Sequence, residues 1–324
     1  MALSESALPQ AFETEIKPVV AAGEFGEFVG IGSHKIHVGV FYPPAPAKAA
    51  VLILTGYTES IWKYGEFILD LNRLGLAVYI MDHRGMGESG RFAENPQIVH
   101  VENFDDYVQD AKTFATWSAE DLERRGKIPL YLFGHSMGGL VGAFLLGRDH
   151  PFEKAILSTP LFEMKTGLIP PAIAQWVVAF NVWRGKGKDF APGRSAFDPA
   201  SAKVEESRTT HSQARFAMLK EIWRERPESV MSGPSNGWVE AALKASARSE
   251  MQAQGNKIPT IVFTAGEDAF VERSGHQRYC RLAPHCELFT IAGAHHELLY
   301  EIDEYRGVVL EKMERFFLSK AAGN

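Results

Sequence analysis

Ser136 stands at the centre of Gly134-His-Ser-Met-Gly138, between an apolar run and a stretch with strong helical preference. This G-x-S-x-G pattern, in the order strand, sharp turn and helix, predicts a nucleophile elbow. The turn holds the serine in a strained conformation, so the residues two before and two after it must lack bulk. The hydroxyl then stands clear of the backbone, and the amides that open the next helix face developing negative charge. Ser136 is therefore predicted to be the nucleophile of a serine hydrolase.

The partners that a serine nucleophile needs are also present in the chain. A serine hydroxyl attacks well only when an oriented base removes its proton. The acid and the histidine are expected downstream, in that order, on loops that follow later strands. One predicted strand leads into Glu267 and Asp268, and the next leads into His295 and His296. Order and placement therefore agree, although each partner has a neighbouring rival.

The residues that follow each pair favour one member. We favour Asp268 over Glu267 because the residues after it, 269–271, are apolar and would return the loop to the core. We favour His296 over His295 because His296 precedes Glu-Leu-Leu and the expected start of the last helix. Its ring can therefore sit at the N-terminal mouth of that helix.

A histidine pair followed by Glu297 also suggests a metal site. The zinc motif H-E-x-x-H would need a histidine at position 300, which is Tyr300. We therefore predict no metal.

Two backbone amides are needed to hold the oxyanion of an ester transition state. One is predicted at Met137, the residue after the nucleophile. The other is predicted at Tyr57, in the loop that follows the apolar run 51–54. Gly56 in this loop is also compatible with a plain turn.

A second glycine-rich stretch, Gly85-Met-Gly-Glu-Ser-Gly90, matches the G-x-G-x-x-G pattern of dinucleotide sites. The residues that follow it, 91–96, do not open an apolar-periodic helix, as a dinucleotide site requires. Asp82-His-Arg84 also stands where such a turn usually has a glycine closer to the strand end. We therefore expect no nicotinamide, flavin or other cofactor, and we expect this loop to shape one wall of the hydrolase site.

Short apolar runs alternate with helical patterns along the chain. The predicted strands are Ile36–Phe41, Val51–Leu54, Ala77–Met81, Leu130–Phe133, Ala155–Leu157, Thr260–Thr264 and Leu288–Ile291. Helical spacing near 3.6 recurs at Phe67, Leu71 and Leu74, at Phe104, Val108, Ala111 and Phe114, and at Val309, Met313 and Phe316. This alternation predicts an α/β fold, with a mostly parallel central sheet flanked by helices. Between Leu161 and Ser249 no strand pattern appears, so we interpret that region as an insertion between two strands of one sheet.

Composition excludes several classes of function. The 324 residues are 45% hydrophobic and 23% charged, as in ordinary soluble globular proteins. The net charge of -6 argues against a dedicated nucleic-acid-binding protein. The N-terminus lacks the regions of a signal peptide, and no stretch reaches the ~18 apolar residues of a membrane span. We expect a cytoplasmic protein that can contact the inner membrane peripherally.

Cys280 and Cys286 are the two cysteines of the chain. In a cytoplasmic protein of this size we expect both to be free thiols, with a disulfide as the alternative.

Five short motifs carry a resemblance to a known family. They are Gly56-Tyr-Thr-Glu-Ser60, Asp82-His-Arg-Gly-Met-Gly-Glu-Ser-Gly90, Asn103-Phe-Asp-Asp-Tyr-Val108, Gly134-His-Ser-Met-Gly-Gly139 and Gly293-Ala-His-His-Glu297. Over roughly positions 35 to 318 the chain resembles the α/β-hydrolase superfamily. Within it, the chain is similar to the lysophospholipase L2 and monoacylglycerol lipase group, a set of serine aminopeptidase S33-like hydrolases. Thr210-His-Ser-Gln-Ala-Arg-Phe216 and Gly233-Pro-Ser-Asn-Gly-Trp238 are closer to lysophospholipase L2.

The resemblance implies a catalytic core at 1–160 and 250–324, with a helical cap inserted at 161–249. It assigns the nucleophile to Ser136, the acid to Asp268, the base to His296, and the oxyanion amides to Tyr57 and Met137. Monoacylglycerol lipases carry His-Gly in the first oxyanion loop, whereas this chain has Thr55-Gly56, which leaves acyl specificity open.

An apolar segment from Leu168 to Trp183 lies in the cap and is too short to span a bilayer. Our hypothesis is that four of its residues line an acyl tunnel or touch a lipid surface. These residues are Trp176, Val177, Phe180 and Trp183. The alternative is an ordinary cap helix that buries one face on the core.

These features together predict a serine carboxylic ester hydrolase that acts on single-acyl lipids through an acyl-enzyme. One alternative is an esterase or amidase for small soluble substrates, including peptides, with the same fold and triad. The other alternative is a non-catalytic protein with a hydrolase-like fold.

Overall fold

The computed structural model describes residues 3–167 and 169–319, so Leu168 and the two chain ends lie outside the described residues. The strands are β1 Glu24–Val29, β2 Lys35–Phe41, β3 Ala49–Leu54, β4 Leu76–Met81, β5 Ile98–Val99, β6 Leu130–His135, β7 Lys154–Ser158, β8 Gly233–Pro234, β9 Thr260–Ala265 and β10 Cys286–Ile291.

The helices are α1 Leu8–Ala11, α2 Lys17–Ala21, α3 Gly65–Arg73, α4 Asp105–Arg125, α5 Met137–Leu146, α6 Pro171–Trp183, α7 Val204–Ser207, α8 Gln213–Glu225, α9 Asn236–Ser246, α10 Ser249–Ala253, α11 Arg273–Leu282 and α12 Asp303–Leu318. A π-helical turn at Phe12–Ile16 joins α1 to α2. Single 3₁₀ turns lie at Ile31–Ser33, Ile61–Tyr64, Pro199–Ser201, Pro227–Ser229 and Leu298–Tyr300.

Eight strands form the central sheet in the order β1-β2-β4-β3-β6-β7-β9-β10. The five pairings from β4 to β10 are parallel, and the pairings of β2 with β1 and β4 are antiparallel. All seven predicted strands are confirmed. β7 pairs directly with β9, so the long segment between them is an insertion between neighbouring strands, as predicted.

Both faces of the sheet are covered by helices, which explains why its central strands read as continuous apolar runs. Along β3, Ala50, Leu52 and Leu54 pack into one core cluster, with side chains of α4, α5, α9 and α11. The alternate residues of β3, 49, 51 and 53, pack into a second cluster with α3 and α12. Because the strands from β4 to β10 run parallel, their carboxyl ends lie at one edge of the sheet. Ligands bind at this edge in open sheets of this kind.

The inserted segment carries α6 to α9 and the short strand β8, which pairs with β5. Ser212 and Ser235 cap the N-termini of α8 and α9 by accepting hydrogen bonds from backbone amides. Arg215 of α8 is fully buried and donates two hydrogen bonds of 3.0 Å to Glu66 of α3. This buried ion pair connects the insertion to a helix that covers the sheet. The boundaries of the insertion at 161 and 249 stay a prediction.

The N-terminal helices and β1 escaped the sequence analysis. Leu8, Phe12 and Ile16 pack with Met218 and Leu219 of α8, so the chain start bridges the core and the insertion. β1 is mostly exposed along its length, which is why it lacks the apolar signature of a strand.

Cys280 and Cys286 form a disulfide, so the prediction of two free thiols is wrong. Cys280 lies near the end of α11 and Cys286 begins β10, and the short turn between them brings their Cα atoms to 5.0 Å. That separation suits a disulfide.

None of the helices in the described part of the chain is long and apolar enough to cross a membrane.

Candidate active site

Ser136 lies between β6 and α5 with φ of 50° and ψ of -113°, a backbone conformation that costs free energy for any residue other than glycine. Two backbone hydrogen bonds of 2.9 Å hold it there: its N–H donates to Ser158, and its carbonyl accepts from Leu161. The strained turn that the sequence predicts is therefore present.

The glycines around the serine are required by close backbone contacts. A Cβ atom at Gly138 would lie 2.1 Å from the carbonyl oxygen of Leu54, at the end of β3. A Cβ atom at Gly134 would lie 2.7 Å from the carbonyl oxygen of Gly138. The first turn of α5 thus presses against the end of β3, so the loop after β3 lies beside the elbow.

Ser136, His296 and Asp268 form a hydrogen-bonded chain. The Nδ1 atom of His296 lies 2.7 Å from Oδ2 of Asp268, and its Nε2 atom lies 2.9 Å from Oγ of Ser136. With the proton on Nδ1, the tautomer that the carboxylate favours, the serine hydroxyl donates to Nε2. Backbone amides of Phe270 and Val271 donate to the other Asp268 oxygen at 2.8 and 3.1 Å. The arrangement can transfer the hydroxyl proton to the imidazole while the carboxylate orients the ring.

Burial and pairing act in opposite directions on the ionisable pair. Burial alone would lower the pKa of His296, but the Asp268 carboxylate raises it above its ordinary value. Burial would raise the pKa of Asp268, and the His296 ring together with the two backbone amides lowers it. The carboxylate therefore stays charged and stabilises the imidazolium that forms during proton transfer.

The rival residues lie outside this chain of hydrogen bonds. Glu267 is exposed, with its backbone amide bonded to Ala294. The His295 ring stacks on His211 of the insertion with ring centroids 3.6 Å apart. The geometry thus brings together the residues that the sequence favours and separates them from their neighbours.

The two predicted oxyanion residues lie on adjacent elements. Met137 is the first residue of α5, where backbone N–H groups have no intrahelical acceptor. Tyr57 follows β3, and its ring packs against Trp238 of α9 at 4.4 Å between centroids. The predicted oxyanion loop is therefore held between the elbow and the insertion, and the role of the two amides stays a prediction.

A buried ion network lies beneath the oxyanion loop. Glu59 accepts hydrogen bonds from the backbone N–H of Gly56, from Tyr64 at 2.6 Å and from Lys63 at 2.6 Å. Lys63 also contacts Glu297, the residue after His296, at 2.8 Å. Burial opposes the charge on Glu59, but Lys63 lowers the pKa of this carboxylate to about 2. The network therefore joins the oxyanion loop to the histidine loop.

This network is absent from the residues predicted above, although Glu59 and Lys63 have the i, i+4 spacing of a helical ion pair. Thr159 also lies in the site without a sequence signal: its hydroxyl lies 3.0 Å from the carbonyl oxygen of His296 and 3.3 Å from Nδ1 of His135. Burial lowers the pKa of His135 to about 4, so this ring beside Ser136 is neutral near pH 7.

The glycine-rich loop 85–90 is anchored by Asp82 at the end of β4. This carboxylate accepts hydrogen bonds from the backbone amides of Ile61 and Glu88 at 2.8 and 2.9 Å. The loop is thus tied to the segment that follows Glu59, while its role as a wall of the site stays a prediction.

The four predicted cap residues lie on α6, far less buried than the triad. Trp176 is 66% exposed, Phe180 39% and Trp183 80%, whereas Val177 is half-buried. The rings of Trp176, Phe180 and Trp183 stack in sequence, with centroids 5.5 and 5.7 Å apart. Val178 is the buried residue of this helix. The exposed ridge favours the lipid-surface hypothesis over the acyl-tunnel hypothesis.

The chain is similar to proteins of known family. Residues 45–303 match the family described as serine aminopeptidase, S33. The chain is 32% identical to lysophospholipase L2 of Escherichia coli (strain K12) over 279 residues, covering 82% of this chain and 79% of that one. It is 31% identical to monoacylglycerol lipase of Mycolicibacterium smegmatis over 149 residues, 45% of this chain and 50% of that one.

A solved structure with the same fold is a soluble variant of monoglyceride lipase from Saccharomyces cerevisiae in complex with a substrate analog. It superposes with a TM-score of 0.72 at 17% identity, covering 91% of this chain and 94% of that one. The fold is thus that of the α/β-hydrolases.

Proposed function

The chain belongs to the serine aminopeptidase S33 family of hydrolases, and from this membership we propose that it is a serine carboxylic ester hydrolase acting on single-acyl lipids. The observation that carries the proposal is the hydrogen-bonded chain Ser136–His296–Asp268 at the carboxyl edge of the parallel strands. The names of the relatives, a lysophospholipase and a monoacylglycerol lipase, support the substrate class.

The proposed reaction begins with attack of the Ser136 Oγ atom on the ester carbonyl carbon. His296 takes the hydroxyl proton at Nε2, while Asp268 holds the ring in the required tautomer. The Tyr57 and Met137 amides stabilise the negative charge that develops on the carbonyl oxygen. The tetrahedral intermediate then collapses, His296 protonates the leaving alcohol, and the acyl group stays on Ser136.

Deacylation repeats the same steps with water as the nucleophile. His296 takes a proton from water as the new carbon–oxygen bond forms, and it returns that proton to the Ser136 oxygen as the acyl bond breaks. The products are a fatty acid and the regenerated enzyme, without a cofactor.

Lipid recognition is proposed to involve α6. Trp176, Phe180 and Trp183 form an exposed aromatic face on a helix of the insertion. Aromatic side chains of this kind partition into the boundary between headgroups and acyl chains. The face would hold the enzyme at a lipid aggregate, from which a single-acyl substrate reaches the serine.

The dependence of kcat/KM on acyl-chain length distinguishes a lipid hydrolase from a hydrolase of small soluble esters. Burial of one methylene contributes about 0.8 kcal/mol, or roughly fourfold in kcat/KM if the gain persists in the transition state. On p-nitrophenyl esters below their micellar limit, we expect kcat/KM to rise over several carbons and then level off. A profile that peaks at acetate or propionate would contradict the lipid assignment. A parallel assay with a lysophospholipid and a monoacylglycerol of the same acyl chain would identify the preferred head group.

A further inference from the structure

Three side chains with metal-binding atoms meet where the insertion touches the catalytic loops. His211 comes from the loop before α8, Glu267 from the loop after β9, and His295 from the loop after β10. One ligand atom from each lies within 4.8 Å of the others. The cluster is open to solvent, because His211 and Glu267 are exposed.

His211 is already oriented as metal-binding histidines are. Its Nδ1 atom lies 2.8 Å from a carboxylate oxygen of Glu301, which is fully buried. The same carboxylate accepts hydrogen bonds from the backbone amides of His211 at 3.2 Å, His295 at 2.6 Å and Ile302 at 2.9 Å. Histidine ligands usually donate one ring nitrogen to such a carboxylate and coordinate through the other. Nε2 of His211 is therefore the nitrogen left for a ligand.

His295 supplies an independent observation. Its Nδ1 atom is buried and has no hydrogen-bond partner among residues 3–167 and 169–319. A buried polar atom without a partner costs free energy. Coordination of a cation through this nitrogen would remove that cost, since a neutral imidazole is a good metal ligand.

We propose that His211, Glu267 and His295 bind a divalent transition-metal ion of the zinc class. Two imidazoles and one carboxylate are a donor set that Zn²⁺ accepts, whereas Ca²⁺ and Mg²⁺ prefer oxygen ligands alone. Tetrahedral coordination needs ligand atoms about 3.3 Å apart. The His295 ring stacks on His211 with centroids 3.6 Å apart, and because a nitrogen lone pair lies in the plane of its ring, the His295 ring must turn out of this stack to reach the same ion. The exposed Glu267 side chain has room to move toward the ion, while the hydrogen bond to Glu301 holds the His211 ring in place.

The prediction of no metal rested on a different set of residues, the H-E-x-x-H spacing that begins at His296. His211 lies in the insertion, far from the other two ligands along the chain, so no local motif could indicate this site. Because Glu267 and His295 directly precede Asp268 and His296, the ion would fasten both catalytic loops to the insertion. It would touch no reacting atom and would act as a structural clamp.

Metal titration of the full-length protein without an affinity tag tests the site. The protein is first stripped with a chelator, and Zn²⁺ binding is then measured by calorimetry against a competing chelator. We expect one ion per chain, with affinity at least tenfold weaker in His211→Ala and His295→Ala. His285→Ala is the matched control, because His285 is an exposed histidine outside the cluster. The Zn²⁺ affinity of this variant should equal that of the wild type.

Thermal unfolding gives a second readout that does not depend on hydrolysis. Saturating Zn²⁺ should raise the Tm of the wild type and of His285→Ala by several degrees, and should leave His211→Ala unchanged. Equal Zn²⁺ affinity in the wild type and His211→Ala would overturn the proposal, as would the absence of one-equivalent binding. His211 is exposed, so its variant decides the outcome even if His295→Ala fails to fold. Hydrolysis should persist in chelator, so the proposed function stands or falls separately.

Discussion

The catalytic loops and the α6 face differ in how they meet the solvent. Ser136, Asp268 and His296 are each less than a tenth exposed, and their polar atoms are paired. Trp176 and Trp183 are 66% and 80% exposed and pack mainly through their stacked rings. The buried side chains are held in one geometry by their hydrogen bonds, whereas the exposed rings can lose their solvent contact only by meeting something outside the chain. Substitutions among Ser136, Asp268 and His296 should therefore lower the hydrolysis of every substrate. Substitutions on the exposed α6 face should lower the hydrolysis of aggregated substrates alone.

The largest expected effect is at the nucleophile. Ser136→Ala should lower kcat by about six orders of magnitude, as removal of a triad nucleophile does elsewhere. The loss should be the same on soluble and on aggregated esters, because the serine acts after either substrate has bound. Circular dichroism and Tm check that the variant folds. Residual activity above a few per cent would show that another residue is the nucleophile.

The next effect distinguishes the triad from its neighbours. Asp268→Asn and His296→Ala should each lower kcat at least about a thousandfold, because each disables general-base catalysis. Glu267→Gln and His295→Ala, assayed in chelator, should lower it less than about tenfold. A reversed ranking in either pair would move the assignment by one residue and leave the same two loops as the site.

Much of the fold is predictable because the sheet is buried on both faces. Most of its central strands are continuous apolar runs, and the insertion is visible as the region where such runs stop. β1 is exposed on most of its length, and the N-terminal helices gain their stability from packing on α8, so neither gives a local signal. The cysteine prediction failed because it used cellular compartment rather than the distance across the turn between α11 and β10.

The site divides in the same way. Ser136 can be predicted from a local motif. Asp268 and His296 can be predicted from their positions after two consecutive strands of the sheet. Glu59 and Lys63 have the local i, i+4 spacing of an ion pair, but Glu297 is far from both in the chain, so only the folded structure reveals the whole network.

The buried network should matter for stability where an exposed pair does not. Lys63→Met should lower the free energy of unfolding by about 3–5 kcal/mol, because it leaves the buried Glu59 carboxylate and the half-buried Glu297 carboxylate without their cation. Lys244→Met is the matched control: Lys244 pairs with Glu240 at 2.5 Å but is 59% exposed, and its loss should cost less than about 1 kcal/mol. Urea unfolding at pH 7 measures both. Equal, small losses would show that the network contributes no stability.

The effect of Lys63→Met should also depend on pH. In the wild type the pKa of Glu59 is about 2, below its ordinary 4.5, so its stabilising contribution is present above pH 4.5 and is lost as the pH falls toward 2. Without Lys63, burial should raise this pKa, and protonation at low pH should stabilise the variant. The stability difference between the two proteins should therefore shrink on acidification. A constant difference between pH 7 and pH 3 would contradict the pairing.

The smallest effect concerns the α6 face. Replacing Trp176 and Trp183 with serine should weaken binding to phosphatidylglycerol vesicles by about tenfold per residue. Each aromatic ring that moves from water into the bilayer interface contributes roughly 1.5 kcal/mol or more. Hydrolysis of a short soluble ester should change less than about twofold. Vesicle co-sedimentation measures the change in membrane binding, and hydrolysis of the short soluble ester measures the change in activity. A variant that loses soluble-ester activity equally would place the face in the substrate site instead.

Covalent labelling tests the central claim most directly. A fluorophosphonate reacts with a serine whose proton a neighbouring base can take, so the native protein should gain one adduct per chain, located at Ser136 by peptide mapping. Ser136→Ala and the urea-unfolded wild type should gain none over the same time. An adduct at another residue, or equal labelling of Ser136→Ala, would contradict the assignment of Ser136 as the activated nucleophile.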